Sequence, residues 1–467
     1  MELRRIARSA WFAGPMALAI FTIAIAPSTM FGQGAQGQAG VVVDAKGVLR
    51  TNYVDDPSGE LARRQREAAK AALNPRVQQK SKLRMISLNR LEKAIAKQLD
   101  MDRPPTDEMK NLAGLIRIQN VFFYPDSGDI VIAGPAEGWY TDSTGRVVGM
   151  ETGRPVVSLE DLIIGLRAYA PGKHGPTTIG CSIDATPEGL AAMQKFLASV
   201  GTAADPSDPA RTQFIVDGLR TSLGLQKVTI LGIPANTHFA QVMVEADYRM
   251  KLIGIGLERP AVKLASYVER ADPSSISRNA MQRWWFVPDY QCVRVSGDDL
   301  AMELVGNGVK LMGEDEMVAT DGSRHVVKGT ANRASMAFVT GFTQKYPELA
   351  AKTPVYAQLR NLIDIAVACA FIQQQDYYGR ADWKMELLLD ESKVKVQTHE
   401  APVQVETAVA SFWKGSRLLT PVGGGVTFHP EQALSPTNRL ADDGEKVAKL
   451  RDKIELKNLA ADQWWWD

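Results

Sequence analysis

Cysteine is scarce: three occur in 467 residues, Cys181, Cys292 and Cys369, far apart and never as CxxC. That spacing suggests neither a zinc site nor a disulfide framework. Each lies in an apolar run, so two readings remain: small buried thiols, or one Cys181–Cys292 bridge if the chain is exported. Charge of one sign is also missing. Lys and Arg number 54 against 53 Asp and Glu, a formal net charge of +1, which gives no reason to expect nucleic acid as partner of the whole chain. The five histidines, His174, His238, His325, His399 and His429, never stand three or four apart, so no local metal cluster is expected. The GxSxG elbow, the P-loop, GxGxxG after a strand, HExxH and the EF-hand loop are absent. Gly423-Gly424-Gly425 leads into strand-like residues and not a helix N-terminus, so it is no phosphate loop. Nothing here implies a cofactor or metal. After the N-terminal region no run is long and apolar enough to span a membrane.

What is present begins with an export signature. Arg4, Arg5 and Arg8 form a basic n-region, and Trp11 to Ala26 is apolar and uncharged. Ala35-Gln36-Gly37 or Gly37-Gln38-Ala39 would suit the −3 and −1 positions of a cleavage site. Residues 1–39 therefore read as a signal peptide and processing region, the other reading being an uncleaved anchor. The expected location is exported, periplasmic or secreted, with no transmembrane span after cleavage.

Residues 40–104 read as a basic helical arm. Between Glu60 and Gln98 stand Arg63, Arg64, Arg66, Lys70, Arg76, Lys80, Lys82, Arg84, Arg90, Lys93 and Lys97 against Glu60, Glu67 and Glu92. Ser87 can cap a helix with the stripe Leu88, Leu91, Ile95 and Leu99. Such a region is either a solvated face packed on the body, or an arm for an anionic envelope polymer or another envelope protein.

The stretch Gln226–Leu257 organises the next part. Val228–Ile233 reads as a strand buried on both faces, and Asn236 as the cap of the following helix. That helix carries the stripe Phe239, Val242, Met243, Ala246, Met250 and Ile253, with Glu245–Arg249 and Asp247–Lys251 as acid-before-base pairs. Helix Leu159–Tyr169 with strand Thr178–Ile183 resembles helix Thr212–Leu223 with strand Val228–Ile233, so residues 105–272 read as an α/β-type domain, duplicated or merely built of like units. Val262–Glu269 reads as a further strand. Residues 273–430 read as a β-hairpin and two-helix domain, the hairpin turning at Gly306-Asn307-Gly308 and Pro347 interrupting the first helix. The helix from Pro354 is apolar over a wide arc and should be central. Residues 431–467 read as a polar tail ending in Trp464-Trp465-Trp466, which docks into a partner or folds back. The expected class is α+β: a mixed sheet with helix–strand–helix units, then a β-hairpin and a helical hairpin.

Four segments together resemble a family of planctomycete exported proteins known only as a domain of unknown function. They are Gly128 to Trp139 (GDIVIAGPAEGW), Asn236–Ala240 with Glu245–Lys251, Arg283–Pro288 (RWWFVP), and Pro354–Leu362 (PVYAQLRNL). The resemblance implies export and a shared fold, and supplies no catalytic or ligand residue.

Two readings of function follow. The first is a non-enzymatic binding or assembly role at the cell envelope, with Trp284, Trp285 and Asn236 as ligand-binding candidates. Neighbours on a strand face opposite ways, so one of the two tryptophans should pack inside and one outside. The second is a hydrolase-like or acid–base enzyme centred on His238, with Glu245 or Asp184 in support. Asp184 and His238 would share a crevice if the strands before them ran parallel. The first reading makes a direct prediction: the mature N-terminus should fall between Ser28 and Gly40. Mass spectrometry finding Met1 retained in the mature pool would contradict export by cleavage.

Overall fold

The computed structural model describes residues 38–54, 56, 58–201, 208–271, 280–318, 324–326, 332–410, 412–414, 417–419, 425–454, 456, 459–460 and 462–467. Residues 1–37 of the expected signal peptide and processing region, the break at Asp272–Ser275 and the pair Gly423-Gly424 lie outside these residues, while Gln38 and Ala39 open the first strand.

The chain opens with β1 (Gln38–Val43), β2 (Val48–Val54), α1 (Glu60–Ala72) and α2 (Pro75–Gln78), then β3 (Ser81–Ser87) running into α3 (Leu88–Asp100). After α4 (Asp107–Lys110) come two hairpins, β4 (Asn120–Tyr124) with β5 (Asp129–Ala136) and β6 (Trp139–Thr141) with β7 (Val147–Gly149), and then α5 (Leu159–Ala168). The middle holds β8 (Ile179–Asp184), α6 (Pro187–Val200), α7 (Pro209–Leu223), β9 (Leu225–Leu231), α8 (His238–Gly254) and α9 (Tyr267–Arg270). Next are β10 (Ala280–Val295), β11 (Ala301–Val318), β12 (Arg324–Val326), α10 (Arg333–Lys352), α11 (Pro354–Gln374), α12 (Tyr377–Arg380) and α13 (Glu386–Leu389). The last part gives β13 (Gln404–Glu406), β14 (Phe412–Lys414), β15 (Arg417–Leu419), β16 (Gly425–Phe428), α14 (Pro430–Ala433), β17 (Arg439–Ala441), α15 (Lys446–Asp452) and β18 (Trp465–Trp466).

The class is α+β. One mixed sheet runs β1-β2-β13-β9-β8-β16-β10-β11-β4-β5-β3-β18, with β12 beside β11 and β17 beside β10. Strands from 40–104, 105–272, 273–430 and the tail share it, and Gln36–Asp467 is one compact unit. The order of β10–β11 hairpin and then α10–α11 helical pair is as the sequence suggests. Helix α11 is the core helix. Pro354 sits at its first turn, where a missing N–H costs nothing, and Val355 to Ile372 is buried without a break. It is long and apolar enough to pass as a membrane span, but it is enclosed by the rest of the fold.

Several expectations are corrected. Strands β8 and β9 are adjacent but antiparallel, with Ile183 opposite Val228 and Gly180 opposite Leu231. The chain leaves β8, passes through both α6 and α7, and so returns to the end it left. The turns after Asp184 and before His238 therefore lie at opposite ends of the strand pair, and the shared crevice does not form. Strand β9 alternates exposed and buried residues because only one face meets the core, so it is not buried on both sides. Thr237, not Asn236, caps α8: its hydroxyl accepts from Ala240 N at 3.2 Å, while the Asn236 carbonyl accepts from His399 N. Gly306-Asn307-Gly308 is a bulge inside the continuous strand β11. Tyr290 pairs with Gly306 and Asp289 with Gly308, leaving Asn307 as the extra residue, and the positive φ of both glycines serves the bulge and not a turn. Residues 262–266 form no strand, and α9 follows them with a Ser266–Glu269 capping box. Helix α10 runs through Pro347. Cys181 and Cys292 are free thiols, on strands separated by β16.

The tail folds back. Trp465 and Trp466 pair with Ile86 and Met85, so β18 is the edge next to β3. The wholly buried Arg84 fixes it: Nε and Nη2 donate to the Asp467 carboxylate at 2.8 and 3.0 Å, and Nη1 and Nη2 donate to the carbonyls of Val77, Ala113 and Gln79. All five donors of the guanidinium are thereby used, as burial of that charge requires. Trp465 also lies under the Arg84 and Arg76 guanidiniums.

Leu362, 1 % exposed on α11, tests the placement of the core. Leu362→Ala should cost about 2–5 kcal/mol in denaturant melts, through lost burial and the cavity left behind. An unchanged midpoint would show that α11 is not the central helix.

Candidate functional site

The polar groups around His238 come from four segments. His238 opens α8, and its Nδ1 lies 2.9 and 3.1 Å from the two carboxylate oxygens of Asp161, in the first turn of α5. Its Nε2 lies 3.3 Å from Gln358 Nε2, on α11. Gln358 Oε1 accepts from Arg146 Nε at 2.9 Å, and Arg146, in the β6–β7 hairpin, forks onto the Glu245 carboxylate. Glu245 also meets Arg249, 3.5 Å away and one turn further along α8, and Arg249 donates to Glu258 at 2.7 Å.

This chain fixes the protons. An arginine can only donate, so Arg146 sets the Gln358 amide with its oxygen toward Arg146 and its NH2 toward His238. His238 Nε2 must then accept, which leaves its proton on Nδ1, donated to Asp161. The second proton of an imidazolium would sit on Nε2, against the Gln358 NH2. Burial lowers the tendency of His238 to hold that proton, but the Asp161 carboxylate outweighs it, and the net shift is upward from the ordinary histidine value. His399 stands beside it, ring centroids 6.0 Å apart, and is shifted downward by burial and by the His238 charge.

The sequence candidates fall into separate places. Glu245 reaches His238 only through Arg146 and Gln358. Asp184 lies at the end of β8, opposite Lys227, and is not part of the chain. Lys251 at its own helix position bonds Asp247 at 3.2 Å and the Ile183 carbonyl at 3.3 Å, so it ties α8 to β8. Trp284 is wholly buried and its indole donates to Ser335 Oγ, whereas Trp285 is half-exposed, as the alternation of a strand suggests. Asn236 serves through its backbone carbonyl. Sequence reasoning missed Asp161, Gln358 and Arg146. Asp161 has the local signature of any acid in a helix's first turn, and Gln358 and Arg146 carry no local signal beyond being polar within apolar surroundings. Among the described residues no group of three or more His, Cys, Asp or Glu could hold a metal ion. An open groove lined by Leu225, Tyr248, Leu252, Leu257 and residues 406–409 lies elsewhere and contains no histidine.

Replacing Asp161 separates burial from charge. In Asp161→Asn burial and the Arg146 repulsion remain against the smaller pull of Glu160, so the His238 pKa should fall below about 6.5, from a value above it in the parent. The sign for stability follows. A raised folded pKa gives stabilisation that is full below the unfolded value and is lost as pH rises through the folded one. The stability gap between parent and Asp161→Asn should therefore be wider at about pH 5.5 than at about pH 9. NMR titration of the ring and denaturant melts at both pH values check this; a gap that widens with pH would refute the pairing.

No curated protein and no solved structure matches the chain. Residues 181–267, from β8 through α8 to the start of α9, do match a family, described as Protein of unknown function (DUF1598), and of the four segments that resemble a domain of unknown function that span contains Asn236–Ala240 and Glu245–Lys251.

Proposed function

We propose that the protein is exported and acts without catalysis, in binding or assembly at the cell envelope, with α1 as the surface that meets an anionic envelope polymer. The observation that carries this is the state of the basic residues. Helix α1 buries none of its residues, and Arg63, Arg64, Arg66 and Lys70 on it are exposed. By contrast Arg84 and Arg90 are consumed inside the fold by Asp467 and Asp129. On α1 itself Arg64 pairs at the surface with Glu60, while Arg63 and Lys70 make no ion pair among the described residues. Arg66 is itself partly used, lying over the Tyr140 ring and helping hold α1 on the body. Export rests on the basic and then apolar N-terminal sequence.

A second reading, acid–base chemistry at His238, is favoured by one observation: Asp161 holds its Nδ1 as an orienting carboxylate does in catalytic pairs. It has two points against it. The other ring nitrogen is faced by Gln358, and Glu245, the further carboxylate of the chain, is neutralised by two arginines.

Attraction between exposed charges is screened over about 8–10 Å at physiological salt. Co-sedimentation of the mature protein with envelope fractions should therefore weaken as salt rises, and should weaken at low salt in Arg63→Gln, Arg64→Gln, Lys70→Gln, which spares Arg66. Binding indifferent to both would remove α1 from the function.

A further inference from the structure

A second set of cations stands apart from α1 and from the His238 chain, against the bulge of β11. Asp364, on α11, is saturated: Oδ2 accepts from Arg117 Nε at 2.7 Å, and Oδ1 accepts from Arg117 Nη2 at 3.3 Å and from the Tyr290 hydroxyl at 2.8 Å. Arg360 sits one turn earlier on the same helix, the spacing at which it could pair with Asp364, yet it does not. Among the described residues Arg360 makes no hydrogen bond or ion pair, and its Nε is sealed from solvent without an acceptor. A guanidinium in that state, on a residue only 8 % exposed, is strongly unfavourable unless something supplies acceptors.

Its neighbours are cations. A Cβ placed on Gly308 would lie 3.0 Å from Arg360 Cγ and 3.3 Å from Arg117 Nη2, so both side chains flank that glycine. Burial first, and then the Arg117 charge, weaken the hold of Arg360 on its proton; Asp364 opposes them, and Arg154, half-buried in the loop after β7, adds a smaller repulsion. Arg154 has no side-chain acceptor among the described residues either, and Asp289, across the strand pair from Gly308, bonds none of the three. Arg117, Arg360 and Arg154 carry three positive charges against the two negative ones of Asp364 and Asp289, which leaves one in excess.

We propose that Arg360 and Arg154, backed by Arg117, bind a dianionic oxyanion of the phosphate or sulfate class beside the β11 bulge. The planar fork of arginine matches two oxygens of such a group, and two such forks can share one tetrahedral anion where a carboxylate has only two oxygens to offer. The glycine at 308 lets Arg360 and Arg117 lie against the strand, since any side chain there would meet both and would strain a backbone at φ +84°.

The test is titration of the full chain with inorganic phosphate and with sulfate, against chloride at constant ionic strength, by calorimetry and by thermal midpoint. Saturable binding and a raised midpoint are expected for at least one of the two. Arg360→Met and Arg154→Gln should each weaken it roughly tenfold or more. Without the anion, Arg360→Met should melt no lower than the parent, because an unpaired buried charge has been replaced by an apolar chain. The α1 triple variant should bind the anion as the parent does, which separates this site from the envelope surface. No saturable binding of either ion would overturn the proposal, as would undiminished affinity in the arginine variants. If Arg360→Met fails to fold, unchanged affinity in Arg154→Gln alone rejects the site.

Discussion

Burying α11 means burying Gln358, Arg360, Asn361 and Asp364 along with its apolar residues, and much of the surrounding structure answers that demand. Gln358 is answered by Arg146 and His238, the NH2 of Asn361 by the Pro155 carbonyl, and Asp364 by Arg117 and Tyr290. These partners come from the segments before β4, around the β6–β7 hairpin, at the head of α8 and in β10. One helix thus fixes the relative places of elements that are far apart in the chain. A buried polar group left without its partner is costly, whereas a satisfied one chiefly selects a single arrangement. The apolar residues of α11 would tolerate a rotated helix better than its polar ones would.

This explains what could be read from the sequence. Local signals gave the right answer where the physics is local. Ser87, Ser158 and Thr186 accept from backbone N–H groups at their helix starts. Residues 125–128 turn between β4 and β5, and the wide apolar arc from Pro354 is the core helix. The failures lie where a distant element decides. The antiparallel pairing of β8 and β9 depends on how many helices intervene, not on either strand. The glycines at 306 and 308 report positive φ, which a turn and a bulge need alike; the choice fell to β10, long enough to pair with β11 on both sides of Asn307. Asp161 and Gln358 lie too far from His238 in sequence for any spacing argument. The usable hint was chemical: Arg360 and Asp364 stand in an otherwise apolar arc, and Glu245 and Arg249 in a helix buried on nearly every face. Charges in such places announce partners without naming them.

The basic region illustrates the same limit from the other side. A run of arginines and lysines looks uniform as sequence, yet β3 and α3 belong to the sheet and its packing, and Arg84 carries the C-terminal strand. The composition signals a cationic surface only after those residues are subtracted. What is left is shared between α1, the one long helix in this region with no buried side chain, and the exposed Arg76, Lys80, Lys82, Lys93 and Lys97 around it in sequence.

The His238 chain resembles a catalytic pair in one bond and differs in the next. In an acid–base site the carboxylate orients the ring so that the opposite nitrogen can meet substrate. Here that nitrogen meets an amide whose direction is dictated by Arg146. For His238 to take a second proton, Gln358 must turn its oxygen to the ring, and its NH2 would then oppose the Arg146 Nε–H. Arg146 would have to yield, although it is held by the buried Glu245 carboxylate. Asp161 thus pulls toward the charged ring and Arg146, acting through one amide, toward the neutral one. The two halves of the chain oppose each other across Gln358, so the amide is the point at which a proton on α8 is felt in the β6–β7 hairpin.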